Sequence, residues 1–236
     1  MSDILFTYLN NRLHERKGKK ADPAREPGPV LTISRESGCN ATKFTEKLNN
    51  EINLIATNGG NGNKWKIISK EILEEAAKEL QVKPSEIEYI FRYQERTIIG
   101  DVLASFASKY YKSEKKIRNT IADVIRSISA EGNVIILGRA GGVLTKDFLR
   151  SLHVKLEAPL QWRTIMISQR SGLPMKDARK FAVDMDKKRE RFRNSFEGRN
   201  TDYTWADISF NRMGLTDEEI ISGIICMMRQ KKLFDQ

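Results

Sequence analysis

The sequence is poor in the residues that build disulfide scaffolds and zinc sites. Among 236 residues there are two cysteines, Cys39 and Cys226, and two histidines, His14 and His153. These numbers exclude a disulfide framework and a zinc site of the Cys/His type. A chain with so few cysteines suits a reducing compartment. We therefore expect a cytoplasmic protein.

Long apolar runs are also lacking. The longest ones, at 134–137 and, with interruptions, at 220–228, fall far short of the roughly 20 residues that a transmembrane helix needs. Residues 1–11 have neither a basic start nor a small-residue cleavage site, so they do not resemble a signal peptide. We therefore expect no membrane span, and a chain that buries the core of one substantial domain.

Positive charge is in excess and is unevenly distributed. The chain has 41 Lys and Arg against 31 Asp and Glu, a net charge of +10. Segment 163–199 contains eleven basic and five acidic residues, so it carries six of these ten surplus charges. A charge run of this kind is either a solvated helical face or a surface that meets an anionic partner.

Short apolar strands alternate with helical patterns along most of the chain. The predicted strands are 30–33, 65–68, 134–137, 152–156 and a fifth near 207–210. Such alternation indicates an α/β fold with a parallel sheet covered on both faces, in which ligands bind at the carboxyl ends of the strands. A final helix is predicted to begin at Thr216, with Glu219 in capping-box spacing. Before the first strand, the pattern predicts an amphipathic helix over 3–16 and then a linker.

The turn after the first strand has features of a phosphate-binding loop. Such a turn aims backbone N–H groups and the positive end of the next helix at one anion. Gly38 permits close backbone approach, and the Thr42 hydroxyl can reach a metal ion. The complete motif has a Lys before the Ser or Thr, and Ala41 stands there instead. An ordinary βα turn, with Thr42 as a helix cap, is the alternative.

Several stretches, taken in order, resemble one protein family. They read VLTISRESGCNATKFTEKL from Val30, KEIL from Lys70, VIILGRAGGVL from Val134, LHVKLEAPLQWR from Leu152, MDKKRERF from Met185 and TWADISFN from Thr204. The set resembles the nucleoside monophosphate kinases, and in particular the cytidylate kinase-like family, over roughly residues 29–232. The resemblance implies a P-loop kinase fold of three layers, α/β/α, with a five-stranded parallel sheet. It also implies that the chain divides into an appended N-terminal segment at 1–28 and a kinase-like domain at 29–236, with a helical lid at about 163–199.

The resemblance further implies ATP and Mg²⁺ as cofactors and assigns site residues. The donor phosphates would lie on Gly38, Cys39, Asn40, Ala41, Thr42 and Lys43, with magnesium at Thr42. Substrate-binding residues would be Arg35, Ser69, Lys70, Arg139 and Gly141, with Arg139 on the acceptor phosphate. The catalytic set would be Arg139, Asp186, Arg189 and Arg193. Asp186, Arg189 and Arg193 fall on one helical stripe, whereas Lys187 lies off it. The alternative for these arginines is ordinary ion pairing.

The sequence leaves three functions open. The first is an ATP-dependent phosphotransferase acting on a nucleoside monophosphate, with CMP as the first candidate. Cytidylate kinases carry an Asp at the position of Ala140, so the base of the acceptor nucleotide is left open. The second is a catalytically weak nucleotide-binding regulator, which Ala41 favours. The third is a nucleic-acid-binding protein, suggested by a pI of about 9.6. It is disfavoured because the surplus charge is concentrated at the predicted lid and no recognition module is present. The oligomeric state is left open.

Overall fold

The computed structural model describes residues 28–58, 63–69, 74–76, 78, 114–197 and 205–234. Its sheet has five strands: β1 Val30–Arg35, β2 Lys66–Ile68, β3 Val134–Leu137, β4 Ser151–Glu157 and β5 Ile208–Asn211. All neighbouring strands are parallel, and their order is β2-β3-β1-β4-β5. The predicted parallel sheet is confirmed: β3 has the predicted bounds, and the ends of the other strands lie within two residues of the predicted ones.

Helices cover both faces of this sheet. They are α1 Ala41–Asn58, α2 Glu114–Glu131, α3 Gly141–Leu144, α4 Leu160–Ser171, α5 Met175–Glu197 and α6 Asp217–Gln230. Successive side chains of β3 point to opposite faces. Ile135 and Leu137 belong to a core shared with α1 and α6. Val134 and Ile136 belong to a second core, shared with α2 and α3. The three-layer α/β/α architecture is therefore confirmed.

Local sequence signals explain where several elements begin and end. Phe44, Leu48 and Ile52 are spaced four residues apart, so they share one face of α1, and this face is fully buried. At the start of α6, the Thr216 hydroxyl accepts the Glu219 N–H while the Glu219 carboxylate accepts the Thr216 N–H, which is the predicted capping box.

Two features of the fold determine where the site lies. First, β1 lies between β3 and β4, so the carboxyl ends of three parallel strands meet at one edge. Second, α4 and α5 pack against each other through Ile167, Ala178 and Ala182. The two helices make up most of segment 163–199, and side chains of α5 border the turns after β1 and β3. Its closure as a lid remains a prediction.

Several sequence predictions lie outside the described residues. They include the helix at 3–16, nearly all of the appended segment at 1–28, and Lys70. Within the portion of the chain that is described, no helix combines the length and apolar character needed to cross a bilayer.

Candidate active site

A cavity of about 320 Å³ lies at the carboxyl edge of the sheet. Its walls come from the ends of β1 and β3, from the turn after each, and from α5. It brings together six of the predicted site residues: Arg35, Arg139, Gly141, Asp186, Arg189 and Arg193. Seven basic side chains and three acidic ones line it, so its walls carry a net positive charge that suits a polyanion.

Arg35 is the last residue of β1, and its charge is crowded. Gly138, with a φ of 76°, has no side chain, and a Cβ there would overlap the Arg35 guanidinium. Burial, followed by repulsion from Arg189 and Arg139, lowers the pKa of Arg35 to about 9, and the attraction of Asp186 only partly opposes this shift. The three guanidinium groups therefore share one region with too little opposing charge, which a bound anion would supply.

Arg139 follows β3 on a strained turn. Arg139 and Ala140 have φ angles of 55° and 57°, a left-handed conformation that costs roughly 1–2 kcal/mol per non-glycine residue. The turn is fixed on its two sides, because the Gly138 N–H donates to the Ile33 carbonyl at 2.9 Å and α3 begins directly after Ala140. Strain of this kind is concentrated at functional sites, and here it occurs where Arg139 enters the cavity wall.

The stripe predicted on the basic helix faces the cavity. Asp186, Arg189 and Arg193 of α5 all line it. Arg189 Nη1 donates to the Arg35 carbonyl and to Asp186 Oδ1, each at 3.4 Å, and burial lowers the pKa of Arg189. Lys187, which lies off that stripe, also lines the cavity. A wider face of α5 than the single stripe therefore borders the cavity.

Two buried N–H groups at the cavity wall have no hydrogen-bond partner among the residues that the structure describes. They are Arg193 Nε and the Nε1 of Trp205, a residue that is 8% exposed. The Arg193 guanidinium lies over the Trp205 ring, 5.4 Å from its centroid. Buried donors are normally paired, so this corner of the cavity has unused capacity for an acceptor oxygen of a ligand.

Asp186 joins α5 to the turn after β1. Its Oδ1 accepts the Ser37 backbone N–H at 2.7 Å, and its Oδ2 accepts from Arg163 Nη1 at 2.7 Å. Arg163, which is only 7% exposed, also donates from Nε to the Ala158 carbonyl and from Nη1 to the Ser37 carbonyl. Glu36 Oε2 lies 3.1 Å from Arg163 Nε. These groups fix the strand end, the turn and α5 relative to one another.

The turn predicted to hold the donor phosphates lies beside the cavity, and none of residues 38–43 lines it. A Cβ at Gly38 would lie 2.8 Å from Arg163 atoms, so the close approach that Gly38 permits is to α4. Cys39 is fully buried; burial and then the charge of Glu36 raise the pKa of its thiol to about 12, as expected for a packing residue.

The remaining predicted residues of the turn differ in exposure. Asn40 has a φ of 50°, and its Oδ1 accepts from Arg170 Nη1 at 3.2 Å. Ala41 is buried at the start of α1, whereas Thr42 and Lys43 are exposed in its first turn. The exposed pair therefore presents its side chains to solvent beside the turn.

The two glycines that begin α3, after β3, lie close to neighbouring side chains. A Cβ at Gly141 would meet Ile136, and one at Gly142 would meet Trp205, each within 3 Å. They therefore serve close packing, although both also line the cavity. Ser69, the other predicted substrate residue, is half-buried after β2 and does not line the cavity.

Sequence reasoning missed Arg163, Glu36, Lys155 and Trp205 as components of this site. Lys155 gave a readable signal, because it interrupts the apolar run of β4 near the carboxyl end of that strand. Trp205 gave none. His153 is a core histidine: it is 4% exposed, with Nδ1 2.9 Å from the Thr32 hydroxyl and Nε2 3.1 Å from the Ser151 hydroxyl.

A solved structure of another protein has this fold. An uncharacterized protein from Eubacterium ventriosum shares the fold at a TM-score of 0.57 and 20% identity, over 86% of this chain and 98% of that one. A shikimate kinase from Acinetobacter baumannii in complex with shikimate (TM-score 0.46, 13% identity, 89% and 98% covered) and a gluconokinase from Sinorhizobium meliloti (0.45, 10%, 87% and 94%) are more distant. None of the curated proteins compared with the chain matches it.

A sequence model of the cytidylate kinase-like family matches residues 30–212, well over half of the chain. The match spans all five strands, both turns that line the cavity, and α5. It therefore includes every basic residue named above at the cavity. The chain belongs to the cytidylate kinase-like family.

Proposed function

We propose that the protein is an ATP-dependent phosphotransferase that moves the γ-phosphoryl group to a nucleoside monophosphate, with CMP as the first candidate, in the cytoplasm. One observation carries the proposal: Arg35, Arg139 and Arg189, from three separate elements, converge on one cavity and crowd one another's charge. Phosphoryl transfer needs positioning and neutralisation of charge more than covalent chemistry, and converging guanidinium groups supply both.

Each arginine has a separate role in this proposal. Arg139 binds the acceptor phosphate from the turn after β3, in the bidentate geometry that the planar guanidinium favours. Arg189 and Arg193 approach from α5 and bind the donor and the transferred phosphoryl group. Arg35, whose charge is repelled by those of Arg189 and Arg139, neutralises the charge that develops on the group in flight. Asp186 orients Arg189.

The residues present fit a nucleotide that carries magnesium. The net positive wall and the unpartnered Arg193 Nε suit phosphate oxygens. Among the described residues no group of three His, Cys, Asp or Glu side chains is placed to hold a metal ion. Mg²⁺ commonly keeps several waters and takes further ligands from substrate phosphates. Thr42, exposed in the first turn of α1 beside the cavity, would offer its hydroxyl to a metal carried by phosphates on the turn after β1. When bound, the metal would offset negative charge on the phosphates.

A nucleotide-binding regulator is the second candidate, and the turn itself favours it. Ala41 replaces the Lys of the phosphate-loop motif and is buried, so the chain has no cation at that point. Lys43 is exposed one residue beyond Thr42 and does not line the cavity. Binding would survive this loss through the arginines, while turnover would fall.

A panel of acceptors separates the two candidates. The protein is incubated with Mg²⁺, ATP and each common nucleoside monophosphate, ADP formation is followed, and thermal shifts are recorded with the same ligands. Turnover with one acceptor, abolished in Arg139→Gln and partly retained in Arg139→Lys, supports the kinase. Stabilisation by nucleotide with no turnover supports the regulator. Binding to oligonucleotides that weakens steeply with salt, with no effect of mononucleotides, would contradict both.

A further inference from the structure

The contact between α5 and the turn after β1 has the chemistry of an anion site. The two carboxylate oxygens of Asp186 accept the Ser37 backbone N–H and Arg163 Nη1, each at 2.7 Å. Arg189 Nη1 adds a longer contact of 3.4 Å to Oδ1. Proteins hold phosphate oxygens with the same groups, namely a backbone N–H on a turn and guanidinium donors.

Two of the groups that hold this carboxylate, Ser37 and Arg163, lie outside α5 and are buried. Ser37 is 4% exposed and Arg163 is 7% exposed. Arg163 is fixed independently of Asp186 by the carbonyls of Ala158 and Ser37, at 2.8 and 3.0 Å. Removal of the carboxylate would therefore leave a formed recess between the turn and the cavity, in which Glu36 Oε2, 3.1 Å from Arg163 Nε, is the carboxylate that remains on Arg163. The Ser37 N–H would lose its acceptor and Arg163 Nη1 would lose its charged partner, and both losses favour the entry of another anion.

We propose that Asp186 is an internal occupant of this anion site, and that a phosphate group of the donor displaces it on binding. The proposal rests on the proposed function, because it takes the turn after β1 to receive the donor phosphates. In the ligand-free protein, Asp186 latches α5 onto the turn and competes with incoming phosphate. Donor binding breaks the contacts of Asp186 with Ser37 and Arg163 and so frees α5 from the turn after β1. Asp186 then keeps its contact with Arg189. The site is thus inhibited by its own chain until a polyphosphate enters.

The test compares two variants of the latch with a charge-matched control. Asp186→Ala removes the carboxylate, and Asp186→Asn keeps its size and an acceptor for the Ser37 N–H. Asp184→Ala removes the same charge from an exposed position on the same helix. Inorganic tripolyphosphate is titrated into each full-length protein by calorimetry, without nucleotide or magnesium. Thermal melting of each variant establishes that it is folded.

If Asp186 acts as a latch, Asp186→Ala should bind tripolyphosphate about tenfold more tightly than Asp184→Ala does, which corresponds to about 1.4 kcal/mol. The affinity of Asp186→Asn should lie between the two. Equal or weaker binding by Asp186→Ala overturns the proposal, because a residue that only positions the arginines would weaken binding when it is lost. If Asp186→Ala does not fold, Asp186→Asn decides in the same way: a gain over Asp184→Ala supports the latch, and no gain overturns it.

Failure of the latch and failure of the proposed function give different results. Tripolyphosphate binding needs no acceptor and no turnover, so a gain in Asp186→Ala without any kinase activity supports the anion site and contradicts the enzyme. Turnover by the wild-type protein, with no gain in tripolyphosphate affinity in Asp186→Ala, supports the enzyme and contradicts the latch.

Discussion

The Arg35 guanidinium occupies the space that a side chain at Gly138 would fill. The two residues lie at the ends of neighbouring strands, and the Gly138 N–H also bonds the Ile33 carbonyl of β1. The position of the Arg35 charge in the cavity wall therefore depends on the absence of a side chain at Gly138.

Gly138→Ala tests this relationship. The new methyl group would overlap the guanidinium and would occupy a φ of 76°, so we expect a loss of about 1–3 kcal/mol in the free energy of unfolding. Displacement of Arg35 should also weaken tripolyphosphate binding. Urea unfolding and calorimetry check the two effects. Unchanged stability together with unchanged affinity would show that Arg35 does not depend on this glycine.

Ala140→Gly should act in the opposite direction on stability. Ala140 has a φ of 57°, which glycine adopts without strain, so the variant should be more stable by about 1 kcal/mol. The change removes one methyl group and no hydrogen bond, and urea unfolding measures the gain. A loss of stability would mean that the turn after β3 is not strained at this residue.

Removal of the Arg35 charge should stabilise the ligand-free protein and impair its binding. In Arg35→Gln the crowding with Arg139 and Arg189 disappears, so the melting temperature should rise in plain buffer. The further rise that tripolyphosphate produces in the wild-type protein should shrink. A melting temperature that falls without ligand would contradict the view that this charge is destabilising until an anion arrives.

The same variant predicts a pH dependence. The folded-state pKa of Arg35 is about 9, below the value of 12.5 for the free side chain, so above about pH 9 the unfolded chain binds more protons than the folded one. The stability deficit of the wild-type protein relative to Arg35→Gln should therefore be constant below pH 8 and should narrow as the pH rises beyond 9. Paired urea unfolding series at pH 7, 9 and 10 measure this difference, in which the other titrating groups cancel. A deficit that widens with pH has the wrong sign.

His153 should make the fold sensitive to mild acid. Burial lowers its pKa below 6.5, although Asp207 opposes the shift. Below pH 6.5 the unfolded chain therefore takes up a proton before the folded protein does, and stability falls with falling pH. His153→Asn should remove this contribution to the acid sensitivity. Thermal melts of both proteins between pH 7.5 and 5 provide the measurement, and parallel curves would exclude His153 as the cause.

The fold was readable from the sequence because its signals are local. The apolar runs of β1 and β3, the stripe of Phe44, Leu48 and Ile52, and the capping box at Thr216 each depend on residues a few positions apart. Local patterns do not determine where the strands end. Pairing with the neighbouring strand extends β1 to Arg35 and β4 to Glu157, beyond their apolar residues.

The site was only partly readable. Periodicity placed Asp186, Arg189 and Arg193 on one stripe, and the strand end placed Arg139. Their union with Arg35 needs the strand order, which no local pattern supplies. The contact of Arg163 with Asp186, the use of Gly38 for helix packing and the stacking of Arg193 on Trp205 depend on three-dimensional proximity between distant segments. Single-sequence patterns carry no signal for such contacts.

The central claim is that arginines from separate elements act on one polyanion, and a double-mutant cycle tests it directly. Calorimetry measures the binding of a bisubstrate analogue, adenosine joined through a polyphosphate to cytidine, to the wild-type protein, Arg139→Gln, Arg189→Gln and the double variant. We predict that each single change weakens binding at least tenfold and that the pair is non-additive by more than about 0.5 kcal/mol. Wild-type affinity in both single variants, or strictly additive losses, would contradict the account.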